Sequence, residues 1–222
     1  MTVEAPRVEP LGDGALLVTF GEAIETGFNA RAHGLAAAVE RRRMADPRLG
    51  RAVPAYASVL VPFDPLALSP DEARLIVAAI ARDVAGASAM PSEGELIEVP
   101  VRYGGDDGPD LADVATLHEL HPDDVVAIHA ATEYRVFFLG FAPGFAYLGP
   151  LDDRIATPRL GTPRQRVAAG SLGIAGAQTG VYPSALPGGW RLIGRTDVSM
   201  WDLGRERPSL LRPGDRVRFV PR

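Results

Sequence analysis

The sequence contains neither cysteine nor lysine, and all 23 of its basic residues are arginine. Without cysteine the chain forms no disulfide, no thiolate zinc site and no cysteine nucleophile. Without lysine it lacks the cation that a P-loop places on phosphates and the amine that a Schiff-base enzyme requires. Any nucleotide bound by this chain must therefore be held by other groups.

Long apolar segments are also missing. No apolar run approaches the roughly 20 residues of a transmembrane helix, and the amino-terminal MTVEAPRVEPLGDG lacks the apolar core of a secretory signal. We therefore expect a cytoplasmic protein that does not enter a membrane. The formal net charge of −5 argues against nucleic-acid binding, which requires a basic surface on the scale of a domain.

Several catalytic signatures are absent. None of the four histidines lies at a spacing typical of zinc ligands, so we expect no metal site, and no GxSxG nucleophile motif occurs. His129 precedes an apolar strand candidate at 134–141 and is the histidine that we consider as a general acid or base. Histidines near helix ends are often structural, so both roles stay open.

Acidic residues are missing from one long stretch. Residues 154–196 contain six arginines, eight glycines and four prolines, but no Asp, Glu or Lys. Subtracting this +6 from the formal −5 leaves −11 for the rest of the chain. Guanidinium groups beside glycine-rich backbone suit carboxylate or phosphate ligands. The same composition is typical of the turns and outer face of a small β-barrel, so both interpretations stay open.

The glycine-flanked GAQTG within this stretch presents Gln178 and Thr179. An amide and a hydroxyl at such a position suit a substrate that contains an amide group. Tyr182 and Trp190 are candidates for the walls of such a pocket, although aromatic side chains also fill barrel interiors.

The first 90 or so residues alternate strand and helix signals. The run at 15–20 follows Gly-Asp-Gly and predicts the second strand of a hairpin that starts near Val8. Helical spacing predicts a helix at 26–43. Ser69 with Pro70 and Glu72 predicts a capping box that opens a second helix, and its core stripe is predicted to be Leu75, Ile76, Ala79, Ile80 and Val84.

A small, polar stretch at 85–95 is the candidate interdomain linker, which predicts domains at 1–92 and 93–222. A strand is predicted at 97–103, and two helices follow, the first capped by Asp110 and the second entered at His121. From residue 134 onward the sequence predicts short strands separated by Gly/Pro turns, ending in a strand with Val217 and Phe219 facing inward.

Five segments make the chain resemble a known family: FLGFAPGFAYLGPLD, ATPRLGTPR, VAAGSLGIAGAQTGVYP, PGGWRLIGRT and LLRPGDRVRFVP. They closely resemble the family formed by the B subunit of bacterial 5-oxoprolinase. This family is also labelled allophanate hydrolase subunit 1, and one branch is described as a sporulation kinase inhibitor. The resemblance extends to PLGDGALLVTFG and VPVRYGGDDGPDL, so it covers nearly the whole chain.

The resemblance implies an α+β protein, with an N-terminal α/β sandwich-like domain and a cyclophilin-like β-barrel domain. It implies half of a bipartite enzyme whose partner is a homologue of the C subunit, or allophanate hydrolase subunit 2, with or without the A subunit. The implied reaction is ATP-dependent opening of 5-oxo-L-proline to L-glutamate. Two alternatives stay open: a urea or allophanate carboxyltransferase component, and a binding module that inhibits a sensor histidine kinase.

The implied chemistry assigns roles to the arginines. Phosphorylation of a lactam oxygen creates negative charge that cations stabilise. We therefore predict that Arg159, Arg164 and Arg166 bind the substrate carboxylate or a phosphorylated intermediate, with Arg164 and His129 in catalytic roles. Gln178, Thr179 and Tyr182 are predicted to contact the substrate. Because the chain lacks a P-loop, the ATP site is expected to be shared with, or located on, partner subunits.

Overall fold

The computed structural model describes residues 5–85 and 94–222. These two ranges fall in separate compact units. The predicted boundary at residue 93 and most of the predicted linker at 85–95 lie outside the described residues. Among the helices of the described ranges, none combines the length and apolarity that a membrane span needs.

The first unit is a two-layer α/β sandwich. Its four-stranded sheet is antiparallel in the order β1-β2-β4-β3, and two helices, α1 and α2, pack together and contact this sheet. The elements are β1 (Arg7–Pro10), β2 (Ala15–Thr19), α1 (Thr26–Ala45), β3 (Val53–Pro54), β4 (Ser58–Pro62) and α2 (Pro70–Ala85).

Buried and partly buried residues alternate along β2 and β4, and this alternation gives the sheet one buried face. In β2, Leu16 and Val18 are fully buried, and in β4 the same holds for Val59 and Val61. This period of two directs one face of the sheet toward the helices. From α1, the fully buried side chains at helical spacing are Ala32, Leu35 and Val39.

Helix α2 begins where the sequence predicted, but its predicted core stripe is confirmed only in part: Ile76 and Ile80 are partly buried and pack against the core. The backbone N–H and hydroxyl of Ser69 donate to Glu72, so the capping box forms. Leu75 is 69% exposed, whereas the fully buried stripe consists of Ala73, Val77 and Ala81. The fully buried stripe contains two alanines, and side-chain size alone therefore misplaced the centre of the buried face.

The second unit is a closed seven-stranded barrel in the order β10-β7-β6-β13-β5-β12-β9, beside a separate two-stranded ribbon β11-β8. Helices α3 and α4 pack on each other and on β12 and β13. The elements are β5 (Leu96–Tyr103), α3 (Leu111–Leu117), α4 (Pro122–Ala131), β6 (Glu133–Leu139), β7 (Ala146–Gly149), a 3-10 turn (Asp153–Ile155), β8 (Arg164–Val167), β9 (Ser171–Ala175), β10 (Gln178–Val181), β11 (Leu186–Gly188), β12 (Arg191–Arg195) and β13 (Arg216–Pro221).

The carboxyl-terminal strand is central to the barrel. β13 lies between β5 and β6, parallel to the first and antiparallel to the second. Val217 and Phe219 point inward as predicted, and both are buried. The sheet-and-helix unit and the barrel together confirm the predicted α+β fold class.

The barrel closes through a short pairing of β5 with β12, which joins Gly194 to Tyr103 and Arg195 to Arg102. Gly194 has no room for a side chain. A Cβ there would lie 2.7 Å from Cγ1 of Val101 and 2.8 Å from the carbonyl oxygen of Arg102. Glycine at 194 therefore allows the two strands to approach each other.

We expect Gly194→Ala to destabilise the chain by about 1–3 kcal/mol, because the new methyl group must push β5 away from β12. Gly161→Ala is the matched control, since a Cβ at that position meets nothing within 4 Å. Chemical denaturation of both variants measures the difference. A Gly194→Ala protein as stable as the Gly161→Ala protein would contradict this account of closure.

Candidate functional site

The arginines of residues 154–196 find their acidic partners outside that stretch. Arg154 pairs with Asp152, Arg164 with Asp110, and Arg191 lies 3.7 Å from Asp113. The Nε of Arg195 donates to a backbone carbonyl oxygen, that of Ala169. The two remaining arginines of the stretch, Arg159 and Arg166, are both exposed. Neither forms a hydrogen bond or an ion pair with another described residue.

The ion pair between Arg164 and Asp110 connects separate elements of the fold. Asp110 is 5% exposed, and its Oδ1 accepts from Nη2 of Arg164 at 2.7 Å while its Oδ2 accepts from the backbone N–H of Leu192 at 2.6 Å. Asp110 precedes α3, yet its side chain makes no cap hydrogen bond to that helix. The carboxylate instead joins the loop before α3 to β8 and to β12.

Beside this ion pair lies a cavity of about 300 Å³. Its lining comes from β11 and the residues that flank the ribbon β8-β11, from β7 and the loop that precedes it, and from the residue directly after β10. Arg159 is the one charged residue among the described residues that line it. The lining residues are Phe141, Phe145, Tyr147, Arg159, Pro163, Tyr182, Pro187, Gly188, Gly189 and Trp190.

Aromatic rings in edge-to-face contact form the walls of this cavity. The ring of Phe145 is central: its centroid lies 5.0 Å from that of Tyr147 and 5.4 Å from those of Phe141, Tyr182 and Trp190. Such interlocked rings are rigid and present both faces and edges to a ligand. The ribbon adapts to them at Gly188, where a Cβ would lie 2.2 Å from the hydroxyl oxygen of Tyr182.

Arg159 acts electrostatically on two tyrosines of the cavity. Burial raises the pKa of Tyr147 and of Tyr182, and the positive charge of Arg159 partly opposes this rise in both cases. A hydrogen bond from the backbone N–H of Trp190 also lowers the pKa of Tyr182. Because burial is the largest cause, both hydroxyls stay protonated near neutral pH and can donate hydrogen bonds.

Phe141 has an unusual conformation for an aromatic residue. Its φ is 64°, in the left-handed region that side chains with a Cβ rarely adopt, and its side chain is 58% exposed. This backbone conformation follows β6, which ends at Leu139 rather than at residue 141 as the sequence predicted. Strained backbone of this kind persists where the surrounding structure fixes it, and such positions cluster at functional sites.

His129 lies in the barrel core and not at the cavity. Its exposure is 0%, its Nδ1 is 2.8 Å from the hydroxyl of Tyr103, and its Nε2 is 3.0 Å from Oγ1 of Thr179. The Thr179 hydroxyl donates to the carbonyl oxygen of Gly173, so its oxygen accepts from His129. This fixes the Nε2–H tautomer, with Tyr103 donating to Nδ1. Burial lowers the pKa of His129 to about 3.

These positions place five of the predicted site residues away from the cavity. His129 and Thr179 are buried on each other, so neither is accessible to a ligand in the cavity. Arg164 is held by Asp110, which explains why its guanidinium does not line the cavity. Gln178 lies on β10 outside the lining, and Arg166 is exposed on β8, also outside it.

Arg159 and Tyr182 are the predicted site residues that the structure places at the cavity. Trp190, considered from the sequence as a pocket wall, also lines it. The sequence-based assignment missed Phe141, Phe145 and Tyr147. Their signal was present in GFAPGFAYLG, where three aromatic residues lie among glycines. Phe141 was assigned to the strand predicted at 134–141, and the other two fell in the short strands and turns predicted after it.

Within residues 5–85 and 94–222 no three His, Asp or Glu side chains are grouped to hold an ion. The chemistry that the cavity offers is recognition of a small ligand that combines a flat, weakly polar body with an anionic group.

Comparison with known proteins gives the family. The model of the family described as carboxyltransferase domain, subdomain C and D, matches residues 6–211, and the chain belongs to this family. One relative is the B subunit of 5-oxoprolinase from Bacillus subtilis, which is 41% identical over 96% of this chain and 92% of its own length. The resemblance to this 5-oxoprolinase family that the sequence motifs indicated is confirmed.

Two solved structures extend the comparison. The protein TTHA0988 is 39% identical, with a TM-score of 0.76 over 94% of this chain, and this chain spans 39% of its length. The urea carboxylase of Kluyveromyces lactis has a TM-score of 0.85 over 98% of this chain at 22% identity, and this chain spans 22% of it. The second likeness is one of fold.

We expect Arg164→Ala to destabilise the second unit by about 2–4 kcal/mol, because it leaves the buried carboxylate of Asp110 without its cation. Arg159→Ala is the matched control and should change stability by less than about 0.5 kcal/mol, since Arg159 is exposed. Urea denaturation measures both. Equal free energies of unfolding of the two variants would show that the ion pair with Arg164 is not required to stabilise the buried carboxylate of Asp110.

Acid should destabilise the fold through His129. The unfolded imidazole gains a proton near pH 6.5, whereas the folded one does so only near pH 3. Between these values the unfolded chain binds more protons than the folded chain does. The contribution of His129 to the free energy of unfolding is therefore fully present above pH 6.5, and it decreases below that pH by up to about 1.4 kcal/mol per pH unit. His129→Gln should flatten this dependence between pH 6.5 and 4.5 in denaturation curves; an unchanged slope would contradict it.

Proposed function

We propose that this chain is one subunit of an ATP-dependent 5-oxoprolinase, and that the aromatic cavity holds 5-oxo-L-proline before it is opened to L-glutamate. The observation that carries the proposal is a cavity with five aromatic side chains and one guanidinium, that of Arg159. It lies in a chain that is 41% identical over 96% of its length to the B subunit of a 5-oxoprolinase. The substrate is a flat five-membered lactam with one carboxylate, which matches these groups.

Binding follows from the cavity's groups. The substrate carboxylate pairs with the guanidinium fork of Arg159, which suits bidentate recognition. The lactam ring lies against the rings of Phe145 and Trp190. The protonated hydroxyl of Tyr147 or Tyr182 donates to the lactam oxygen, the atom at which negative charge develops when the amide is activated.

The cavity is incomplete for the chemical step. Its described lining includes neither a carboxylate nor an imidazole to serve as a base, and Arg159 is its one cation. A triphosphate requires several cations or a cradle of backbone N–H groups, so the cavity does not fit ATP. We therefore infer that ATP binds on a partner, a homologue of the C subunit with or without the A subunit, and that this chain has no turnover alone.

A carboxyltransferase acting on urea or allophanate is the second candidate, favoured by the description of the family to which the chain belongs. Urea carries no carboxylate for Arg159 to bind, whereas 5-oxoproline and allophanate each carry one, so Arg159 argues against urea alone. The two candidates are therefore separated by substrate: glutamate release from 5-oxoproline and ATP, against ATP- and bicarbonate-dependent consumption of urea.

The test is reconstitution of this chain with purified homologues of the C and A subunits from its own organism. We expect ATP-dependent glutamate release from 5-oxoproline with the full mixture and none from this chain alone. Arg159→Ala should raise KM for 5-oxoproline about 10- to 100-fold, as loss of a charge-assisted contact of about 1.5–3 kcal/mol requires. Arg166→Ala is the matched control, because Arg166 is exposed and lies outside the cavity.

Two outcomes would contradict the proposal. Absence of glutamate release in every combination of subunits, with urea turned over instead, would assign the chain to a carboxyltransferase. Active complexes in which Arg159→Ala and Arg166→Ala have the same KM for 5-oxoproline would support the proposed reaction but show that the substrate does not bind in this cavity.

A further inference from the structure

The aromatic cavity has a buried floor and an exposed rim. Phe145, Tyr182 and Trp190 are 1%, 2% and 7% exposed and form the floor, whereas Phe141 and Arg159 are exposed and form part of the rim. An anionic group is costly to bury without a partner, so a charged ligand keeps this group at the rim, where Arg159 lies. The uncharged part of the ligand then enters the floor and packs against aromatic rings.

Phe141 is the exposed aromatic residue among the described residues that line the cavity. Its ring centroid lies 5.4 Å from that of Phe145 and 6.5 Å from that of Tyr182, and both pairs are edge to face, while 58% of the residue stays exposed. One ring therefore extends from the floor of the cavity to the solvent. A ligand that packs on Phe145 or Tyr182 lies within reach of this ring, which can cover the apolar part of the ligand.

The backbone fixes the direction in which the Phe141 ring points. Phe141 is the central residue of a γ-turn: the N–H of Ala142 donates to the carbonyl oxygen of Gly140 at 2.7 Å, and the φ of Phe141 is 64°. Two further backbone hydrogen bonds, from Gly140 to Phe145 and from Phe145 to Ala142, close the loop. A ring held in this way loses little conformational entropy when a ligand packs on it, so its contacts contribute to affinity.

Arg159 and Phe141 recognise different parts of a ligand. The guanidinium suits a carboxylate, which 5-oxoproline and allophanate both carry. The ring suits methylene groups, of which the lactam ring of 5-oxoproline has two and allophanate has none. Resting on the function proposed above, we propose that Phe141 is a specificity-determining residue, which selects the cyclic lactam over open-chain ligands that carry the same charge.

The experiment compares two ligands on the complex reconstituted with purified homologues of the C and A subunits. The substrate is 5-oxoproline, and the competitor is hydantoate, a stable open-chain carboxylate with an amide group and a single methylene. Phe141→Ala should raise KM for 5-oxoproline about 5- to 10-fold with kcat unchanged, as the loss of contacts to about two methylene groups requires. The inhibition constant of hydantoate should change less than about twofold, because this ligand has little apolar surface for the ring to cover.

Three further variants separate the ring from the charge and from the backbone. Arg159→Ala should weaken 5-oxoproline and hydantoate alike, since both carry the carboxylate. Phe141→Tyr keeps the ring and should restore the wild-type KM. Phe141→Gly removes the ring but suits a φ of 64°, so it tests the ring even if Phe141→Ala fails to fold. Its matched control is Glu119→Gly, which should leave KM unchanged because Glu119 has a φ of 56° but is exposed outside the cavity.

A wild-type KM for 5-oxoproline in both Phe141→Ala and Phe141→Gly would overturn the role of Phe141 and leave the proposed function standing. Equal weakening of 5-oxoproline and hydantoate by these variants would also overturn it, because the ring would then not distinguish the two ligands. Where hydantoate does not inhibit the wild-type complex, the KM of Phe141→Ala and its restoration in Phe141→Tyr decide alone. A wild-type complex that releases no glutamate from 5-oxoproline would instead remove the proposed function itself.

Discussion

The buried carboxylate of Asp110 is the constraint on which the site depends. One oxygen binds the guanidinium of Arg164 on β8 and the other binds the backbone N–H of Leu192 on β12. A buried carboxylate is costly unless both oxygens are satisfied, so the ribbon β8-β11 is held beside the barrel. That ribbon supplies one wall of the aromatic cavity. The cavity is thus a consequence of an ion pair that does not line it.

The concentration of positive charge in residues 154–196 has a topological origin. Two of its arginines, Arg164 and Arg191, meet carboxylates from an earlier segment, at Asp110 and Asp113, whereas Arg154 pairs locally with Asp152. The barrel and its ribbon bring together segments that are far apart in sequence, so charges segregated along the chain become mixed in space. Arg159 is different because it lines the aromatic cavity and forms no ion pair with another described residue, which leaves its charge available to a ligand.

Local signals predicted the fold well, and nonlocal contacts account for what the sequence could not show. Ser69 and Glu72 are three residues apart, so their capping box was readable. The phase of α2 depends on how closely α1 approaches, which no pattern within α2 reveals. The partner of Arg164 lies 54 residues away, and the rings around Phe145 come from three separate segments. Of the arginines predicted to bind the substrate, Arg159 is the one that lines the cavity.

The place of β13 in the barrel also bears on how the chain is made. This strand lies between β5 and β6, and its partner residues in β5 are 120 positions earlier in the chain. During translation β5 and β6 emerge long before residues 216–221 leave the ribosome, so their edges stay unpaired in the interval. Barrel assembly is therefore a late event with high contact order, and until then the nascent chain needs protection from pairing with other strands.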